Sequence, residues 1–191
     1  MQLVIVSGLS GAGKTVALRQ FEDLGWYCID NLPLALVQPL VARALSHPEP
    51  RFEHVAIGID ARATVAEIQE FPQIADTLRN QGVMARVLFL TANEHAILAR
   101  FNDTRRRHPL TSAEVTLRDA INRERALLQP IAKAADETLD TSDMNQHDLR
   151  FAVHAQLPGE DDTRLALTFL SFGYKHGLPD GVDFIFDARC L

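Results

Sequence analysis

Residues 8–15 spell Gly8-Leu9-Ser10-Gly11-Ala12-Gly13-Lys14-Thr15 and directly follow the apolar run at 3–6. They fit the pattern G-x-x-x-x-G-K-[ST], in which glycines permit a tight turn and successive N–H groups point at a bound polyphosphate. We expect Lys14 to reach the β- and γ-phosphates and the Thr15 hydroxyl to bind Mg²⁺, with the dipole of the next helix directed at the same anion. A simple glycine-rich turn is the alternative, but strand, loop, lysine, hydroxyl and helix occur together here. The stretch therefore predicts a nucleoside triphosphate site.

The composition is ordinary for a globular protein, with 47% hydrophobic and 23% charged residues among 191. The formal net charge of −6 argues against a surface dominated by nucleic-acid contacts. No apolar run is long enough to span a membrane, and the N-terminus lacks the features of a secretory signal. Cys28 and Cys190 are expected to be buried thiols, with a disulfide as the alternative. We therefore expect a cytoplasmic location without membrane contact.

Apolar segments alternate with helical patterns along the first 156 residues. The predicted strands are residues 3–6, 26–29, 55–59, 86–90 and 137–140. The predicted helices run from the loop to Leu24, from Asn31 to about Leu45, from a capping box at Thr64 to Gly82, from Asn93 towards residue 103, from Thr111 to about Leu128, and from Ser142 to about Gln156. Pro72 is expected to kink or restart its helix. This order predicts an α/β fold, a kinase-like parallel sheet of the P-loop NTPase type with helices on both faces.

Polar residues follow the predicted strands, where ligands of parallel sheets collect. They are Ser7, Asp30, Asp60, Thr91 and Thr141. Asp30, as a catalytic candidate, and Asp60 could hold metal-bound water or an acceptor hydroxyl, or each could be a turn or N-cap aspartate. Thr141 and Ser142 could contact the base or cap the last helix.

Three adjacent arginines, Arg105, Arg106 and Arg107, follow a predicted helix and precede Pro109. We expect a lid over the triphosphate, with Arg105 and Arg106 stabilising transition-state charge. The alternative is a set of cations at a helix C-terminus or on a solvated face. Three arginines exceed what a helix end needs, so the lid is favoured.

The composition changes at an acidic segment, residues 158–163. We expect a P-loop nucleotide-binding domain at 1–157, a linker at 158–164 and, at 165–191, the start of a second, truncated α/β domain. Residues 165–169 and 184–186 have the pattern of strands, but about thirty residues are too few to bury a separate core.

Five stretches together carry a likeness to one protein family. They are residues 5–14 (IVSGLSGAGK), 21–33 (FEDLGWYCIDNLP), 103–110 (DTRRRHPL), 140–142 (DTS) and 171–179 (SFGYKHGLP). With these motifs the chain resembles the RapZ/YvcJ family of P-loop nucleotide-binding proteins. The resemblance implies binding and hydrolysis of ATP and GTP by the N-terminal domain. In the RapZ branch it also implies that a small regulatory RNA controlling amino-sugar synthesis is presented to a ribonuclease, through a C-terminal part largely absent here.

The same resemblance implies a guanine-nucleotide contact at residues 60–63, where the family pattern is Asp-x-Arg-[Asn/Ser]. Here the segment is Asp60-Ala61-Arg62-Ala63, so its last side chain cannot form a hydrogen bond. Relatives usually carry an acidic residue where this chain has Thr91. The base preference is therefore open. The oligomeric state is open as well, with a homo-oligomer among the alternatives.

Three functions compete. The first is a regulatory nucleotide-binding protein with slow ATPase or GTPase activity, coupled to RNA or a protein partner. The second is a small-molecule kinase that transfers the γ-phosphate of ATP to a metabolite, and the third is a module that binds nucleotide without turnover. The linker and the residues after it favour the first.

Overall fold

Five strands pair in parallel to form one sheet in this computed structural model, which describes residues 1–104, 107–111, 115–156, 171–173 and 184–187. They are β1 (Gln2–Gly8), β2 (Tyr27–Ile29), β3 (His54–Gly58), β4 (Met84–Thr91) and β5 (Glu137–Asp140). Their order is β2-β3-β1-β4-β5, which puts β1 at the centre with β3 on one side and β4 on the other. The predicted α/β class with a parallel sheet is confirmed.

Helices cover both faces of the sheet. They are α1 (Lys14–Asp23), α2 (Val37–Ser46), α3 (Val65–Asn80), α4 (Glu94–Thr104), α5 (Leu117–Leu127), α6 (Gln129–Ala134) and α7 (Gln146–His154). On one face α1 packs against α7, and on the other α3 packs against α2 and α6. This division follows from right-handed crossover connections. The connection through α1 runs from β1 toward one edge of the sheet, whereas the connections through α2, α3 and α6 run toward the other edge, so their helices lie on opposite faces.

The core lies between the sheet and these helices. Leu3, Ile5 and Val6 of the central strand are completely buried, as expected for a strand covered on both faces. Phe21 of α1 and Phe71 of α3 are the largest fully buried side chains. Phe21 packs α1 onto one face of the sheet, and Phe71 packs α3 onto the other. The two helices are thereby held in place relative to the edge of the sheet where the polar strand ends meet.

The helix starts show where local sequence signals succeed and fail. Thr64 caps α3 as predicted: its hydroxyl accepts from the Glu67 N–H, and Glu67 accepts from the Thr64 N–H at 2.7 Å. Asn93 caps α4 by accepting from the Ala96 N–H at 2.8 Å. Pro72 lies inside the single helix α3, so the predicted restart is wrong; the buried neighbours Ile68 and Phe71 hold the helix together there.

Other predicted starts also need correction. Asn31 has a left-handed φ of 55°, which a helix cannot contain, so α2 begins only at Val37 after a short 3₁₀ turn at Leu34–Leu36. Thr116, not Thr111, caps α5, while residues 112–114 lie outside the described part of the chain. Asn145, not Thr141 or Ser142, caps α7 through a capping box with Asp148. The short helix α6 was not predicted, because Pro130 looked like a stop and is instead in its first turn.

The chain divides into two compact units, Met1–Leu157 and Pro158–Leu191. In the second unit, residues 184–187 have no regular secondary structure, so the predicted strand at 184–186 is wrong; no ladder partner pairs with it in the described segments. The predicted strand at 165–169 lies outside them. That the second unit begins a further domain stays a prediction.

No helix in the described residues is long and apolar enough to cross a membrane. Cys28 is a half-buried free thiol, and burial, with a smaller contribution from Glu22, raises its pKa to about 11. Cys190 lies outside the described residues, which leaves its predicted burial untested.

Candidate functional site

The loop between β1 and α1 depends on three glycines. Gly8, Gly11 and Gly13 have φ angles of 142°, 85° and 104°, which L side chains rarely adopt. Two of them also face closely packed neighbours. A Cβ on Gly8 would lie 2.1 Å from the carbonyl oxygen of Leu90, and a Cβ on Gly13 would lie 2.4 Å from a methyl carbon of Leu149. Strand β4 and helix α7 thus pack directly against the loop.

Several backbone N–H groups of the loop are unused. The N–H of Leu9 donates to Leu90 and that of Ala12 donates back to Leu9, each at 3.0 Å. Within the described residues, the N–H groups of Gly11, Gly13, Lys14 and Thr15 have no protein acceptor. They stand at the N-terminus of α1, where the helix dipole adds partial positive charge. This arrangement of free donors suits an anion.

Lys14 is folded over the loop. Its ammonium donates to the carbonyl of Gly8 at 2.6 Å. Burial lowers the pKa of Lys14, whereas the negative charges of Glu124, Asp60 and Asp30, in that order, raise it. All three carboxylates act on this lysine, but burial outweighs them, so the pKa of Lys14 lies below its ordinary value.

The strand-end aspartates predicted at the site are brought together beside this lysine. Asp60 accepts from the backbone N–H of Arg62 at 2.9 Å and pairs with the Arg62 guanidinium at 3.3 Å. With its amide group oriented to donate, the Asn31 nitrogen lies 3.0 Å from both Asp60 oxygens. Asp60 is thus a turn aspartate whose charge also acts on the loop lysine, and its predicted role toward metal-bound water or an acceptor hydroxyl stays a prediction. Asp30 is exposed, and its carboxylate lies against Gly58 at the end of β3.

The rest of segment 60–63 is divided between core and solvent. Ala61 is buried, Ala63 packs half-buried against the core, and the Arg62 side chain is 66% exposed. Because β3 and β4 flank β1 on opposite sides, this segment lies on the opposite side of the loop from the ends of β4 and β5.

A groove lies on that other side. It has a volume of about 430 Å³ and is lined by residues of α4 and of the β5–α7 connection, among them Asn93, His95, Arg100, Ser142 and Met144. Ser142 joins the two walls, because its hydroxyl donates to Asp140 and accepts from the Asn93 N–H at 2.8 Å. Its side chain is thereby occupied within the protein.

Arg100 was not singled out from the sequence, yet it connects the loop to this groove. Its guanidinium donates to the carbonyl of Gly11 at 3.0 Å and to the Thr141 hydroxyl at 2.9 Å. The same guanidinium donates to the carbonyl oxygens of Thr141 and Met144. Thr141 is completely buried, and its hydroxyl donates to Ala12 at 3.0 Å. Thr141 therefore holds the loop to the end of β5 and is not free to contact a base.

A second unpredicted group lies beneath the loop. Glu124 of α5 is completely buried and accepts from the Ser10 N–H at 2.9 Å and from the Ser10 hydroxyl at 2.7 Å. It also accepts from Nε2 of buried His108 at 3.0 Å. Burial alone would raise the pKa of Glu124, but hydrogen bonds from His108 and Ser10, with the charge of Lys14, hold it below its ordinary value. The available signal was a charged residue in register with buried Ala120 and Ile121 of α5.

The arginine segment is described only in part. Arg105 and Arg106 lie outside the described residues, so their predicted role as a lid stays a prediction. Arg107 is exposed, and His108, next to it, is buried with its ring 5.3 Å from that of Phe101. The base of the segment is therefore anchored in the protein interior.

The donor set at the loop fits Mg²⁺ only in company with a phosphate ligand. In the described part of the chain no cluster of three His, Cys, Asp or Glu side chains is arranged to hold a metal ion. The Thr15 hydroxyl is in the exposed first turn of α1, and oxygen donors are what Mg²⁺ prefers. Because Mg²⁺ commonly takes its other ligands from substrate phosphates and water, one protein hydroxyl suffices.

Comparisons with known proteins agree with this architecture. Residues 1–161 match the RapZ-like N-terminal domain. The whole chain aligns with a nucleotide-binding protein of Alkalilimnicola ehrlichii at 48% identity, and with one of Methylococcus capsulatus at 47%. The chain spans 66% and 65% of these relatives, just under two thirds of their length. A shikimate kinase from Bacteroides thetaiotaomicron superposes with a TM-score of 0.52 at 15% identity, over 80% of this chain and 94% of the kinase, which shows a shared fold.

The match over residues 1–161 and the 48% identity to the Alkalilimnicola ehrlichii protein lead to the same assignment. This chain belongs to the RapZ-like family, whose N-terminal domain its residues 1–161 match.

Proposed function

We propose that this chain binds ATP and GTP at residues 8–15 and hydrolyses them slowly, as a regulatory nucleotide-binding protein. One observation carries the proposal: the free N–H groups of Gly11, Gly13, Lys14 and Thr15 at the start of α1, with the Lys14 ammonium beside them. Backbone donors at a helix N-terminus, joined by one lysine, are the chemistry that a polyphosphate requires.

Each predicted residue has a role in this proposal. The free amides of Gly11, Gly13, Lys14 and Thr15 hold the β-phosphate, and Lys14 exchanges its Gly8 carbonyl for phosphate oxygens. Thr15 gives its hydroxyl to Mg²⁺, which neutralises phosphate charge when bound. Asp30 holds the attacking water, and Arg105 and Arg106 cover the γ-phosphate and stabilise the charge that develops during transfer.

The base has two candidate positions on opposite sides of the loop. The groove between α4 and the β5–α7 connection is joined to Gly11 through Arg100 and is open enough for a planar ring. The family resemblance instead favours a guanine contact at Asp60-Ala61-Arg62-Ala63, where Arg62 is exposed. Arg62→Ala weakens GTP selectively if the second position is used, and leaves the GTP-to-ATP affinity ratio unchanged if the base lies in the groove.

A small-molecule kinase is the second candidate, and one observation favours it. Asp30 and Asp60 converge on Lys14 beside the loop, where a carboxylate could orient an acceptor hydroxyl. Binding without turnover is the third outcome that an assay must distinguish.

We also propose that nucleotide state controls a partner, a small regulatory RNA presented to a ribonuclease. Membership of the RapZ-like family supports this proposal. Because the chain spans about two thirds of its relatives, RNA affinity should be measured with and without nucleotide in this chain and in a longer one.

The decisive experiment titrates the folded protein with ATP and with GTP in the presence of Mg²⁺ by calorimetry, then follows the products. Free phosphate without an acceptor supports hydrolysis, and label transferred to a metabolite supports the kinase. Lys14→Ala is expected to abolish turnover and weaken binding, whereas Lys133→Ala, at an exposed lysine of α6, changes neither. Absence of binding heat from folded wild-type protein would rule out the proposed function, and an unchanged rate in Lys14→Ala would remove that lysine from the mechanism.

A further inference from the structure

A carboxylate buried beneath a phosphate loop needs an explanation, because burying a charge is costly unless it is paired and hydrogen-bonded. The Glu124 and His108 side chains are both completely buried. Glu124 receives three hydrogen bonds, two from Ser10 and one from His108. A residue that served only to fill space in α5 would be apolar.

The hydrogen bonds fix the protonation of the pair. The Leu110 N–H donates to Nδ1 of His108 at 3.2 Å, so that nitrogen is an acceptor. The proton of the ring is therefore on Nε2, which donates it to Glu124. Glu124 is then the negative member of the network, and His108 holds it in place as a neutral donor.

This negative charge acts directly on the loop at Ser10. Glu124 accepts from the Ser10 backbone N–H at 2.9 Å and from the Ser10 hydroxyl at 2.7 Å. The two hydrogen bonds tie the third residue of the loop to α5 in the ligand-free protein.

We propose that Glu124 is a positioning residue of the nucleotide site, which tethers the phosphate loop at Ser10 while His108 holds Glu124 in place. The inference rests on the proposed function only for its consequence in nucleotide binding. The tether itself is a property of the ligand-free protein.

The tether can be removed and restored by substitution. Glu124→Gln can keep an acceptor oxygen toward the Ser10 N–H and His108, and the Ser10 hydroxyl can turn to accept from the new amide, so this change removes the charge alone. Glu124→Ala removes charge and tether. Ser10→Ala removes only the hydroxyl contact and leaves the charge. Glu70→Gln, at an exposed glutamate of α3, is the matched control.

The first measurement is amide hydrogen exchange of residues 8–15 without nucleotide. We expect exchange to be about tenfold faster in Glu124→Ala, because a charge-assisted hydrogen bond is lost, and a smaller acceleration in Ser10→Ala. Glu70→Gln should match the wild type. Should Glu124→Ala not fold, Ser10→Ala still tests the tether. Unchanged exchange in the folded variants would overturn it.

The second measurement is the ATP affinity of the folded variants by calorimetry. In Glu124→Ala we expect the affinity to fall about tenfold, because a loop without its tether must be ordered on binding. In Glu124→Gln we expect it to return close to the wild-type value, since the side-chain oxygen can still accept from the Ser10 N–H. Equal losses in Glu124→Gln and Glu124→Ala, with Glu70→Gln unchanged, would overturn the tether. A wild type that binds no nucleotide would refute the proposed function, while hydrogen exchange would still decide this inference.

Discussion

Replacing Gly8 by alanine tests how tightly the loop is fixed by its surroundings. The new Cβ would lie 2.1 Å from the oxygen, 2.7 Å from the nitrogen and 2.8 Å from the carbonyl carbon of Leu90. All three are backbone atoms of β4, so no side-chain rotation can relieve the contact. The strands must separate locally, which also endangers the 3.0 Å bond from the Leu9 N–H to the same oxygen.

The cost has two parts. An unfavourable φ adds roughly 1–2 kcal/mol, and a weakened hydrogen bond adds about 0.5–1.5 kcal/mol. We therefore expect Gly8→Ala to lower the free energy of unfolding by roughly 1.5–3.5 kcal/mol, a large share of an ordinary domain's stability. Gly25 is the matched control: its φ is 82°, and an added Cβ would meet nothing within 4 Å. Gly25→Ala should thus cost only the roughly 1–2 kcal/mol of its unfavourable φ, with no hydrogen bond weakened.

Urea unfolding of wild type, Gly8→Ala and Gly25→Ala gives the three free energies directly. We also expect Gly8→Ala to lose nucleotide affinity, since the Gly8 carbonyl that positions Lys14 must move, whereas Gly25→Ala should keep it. If the two variants are equally stable, the close approach of β4 to the loop does not restrict residue 8, and the reasoning fails.

Two further outcomes are expected. Arg106→Ala should slow hydrolysis more than it weakens ATP binding, because a lid arginine acts mainly on transition-state charge; steady-state kinetics beside calorimetry would show this, and equal losses would indicate ground-state binding instead. The pKa of Glu124 is held below its ordinary value, so its stabilising contribution is full above that value and is lost as the pH falls below about 4.5 through the folded-state pKa. The free energy of unfolding should accordingly fall less steeply with acid in Glu124→Gln than in wild type, and parallel acid limbs would contradict the assignment.

The parts of this fold that the sequence predicts are those with local causes. Apolar runs specify the strands, and Thr64 with Glu67 carries its own cap in four residues, so both could be recognised without knowledge of the fold. The failures occur where a local signal is ambiguous. Pro130 is acceptable both after a helix and in the first turn of one. Asn31 adopts a left-handed conformation that the neighbouring residues in the sequence do not predict.

The difference between features with local causes and features that depend on the fold is clearer at the site. Residues 8–15 could be found because the amides, lysine and hydroxyl that act together are consecutive in the chain. Glu124 is 114 residues from Ser10, Thr141 is 129 from Ala12 and Arg100 is 89 from Gly11. No spacing rule connects such pairs. Only the order of strands, which carries α4, α5 and the end of β5 to the same side of β1, brings them together.

These distant contacts change how the loop should be regarded. A glycine-rich turn held only by its own hydrogen bonds would be free to rearrange, and ordering it would reduce the affinity for any anion. Here the loop is held at Gly8 by β4, at Ser10 by Glu124, at Gly11 by Arg100 and at Ala12 by Thr141. These contacts involve the Cα of Gly8, the amide of Ser10 and the carbonyl groups of Gly11 and Ala12. In the described residues, the N–H groups of Gly11, Gly13, Lys14 and Thr15 are left without acceptors. A loop that is held in place through its other groups, and that keeps these donors free at a helix N-terminus, is preorganised for an anion.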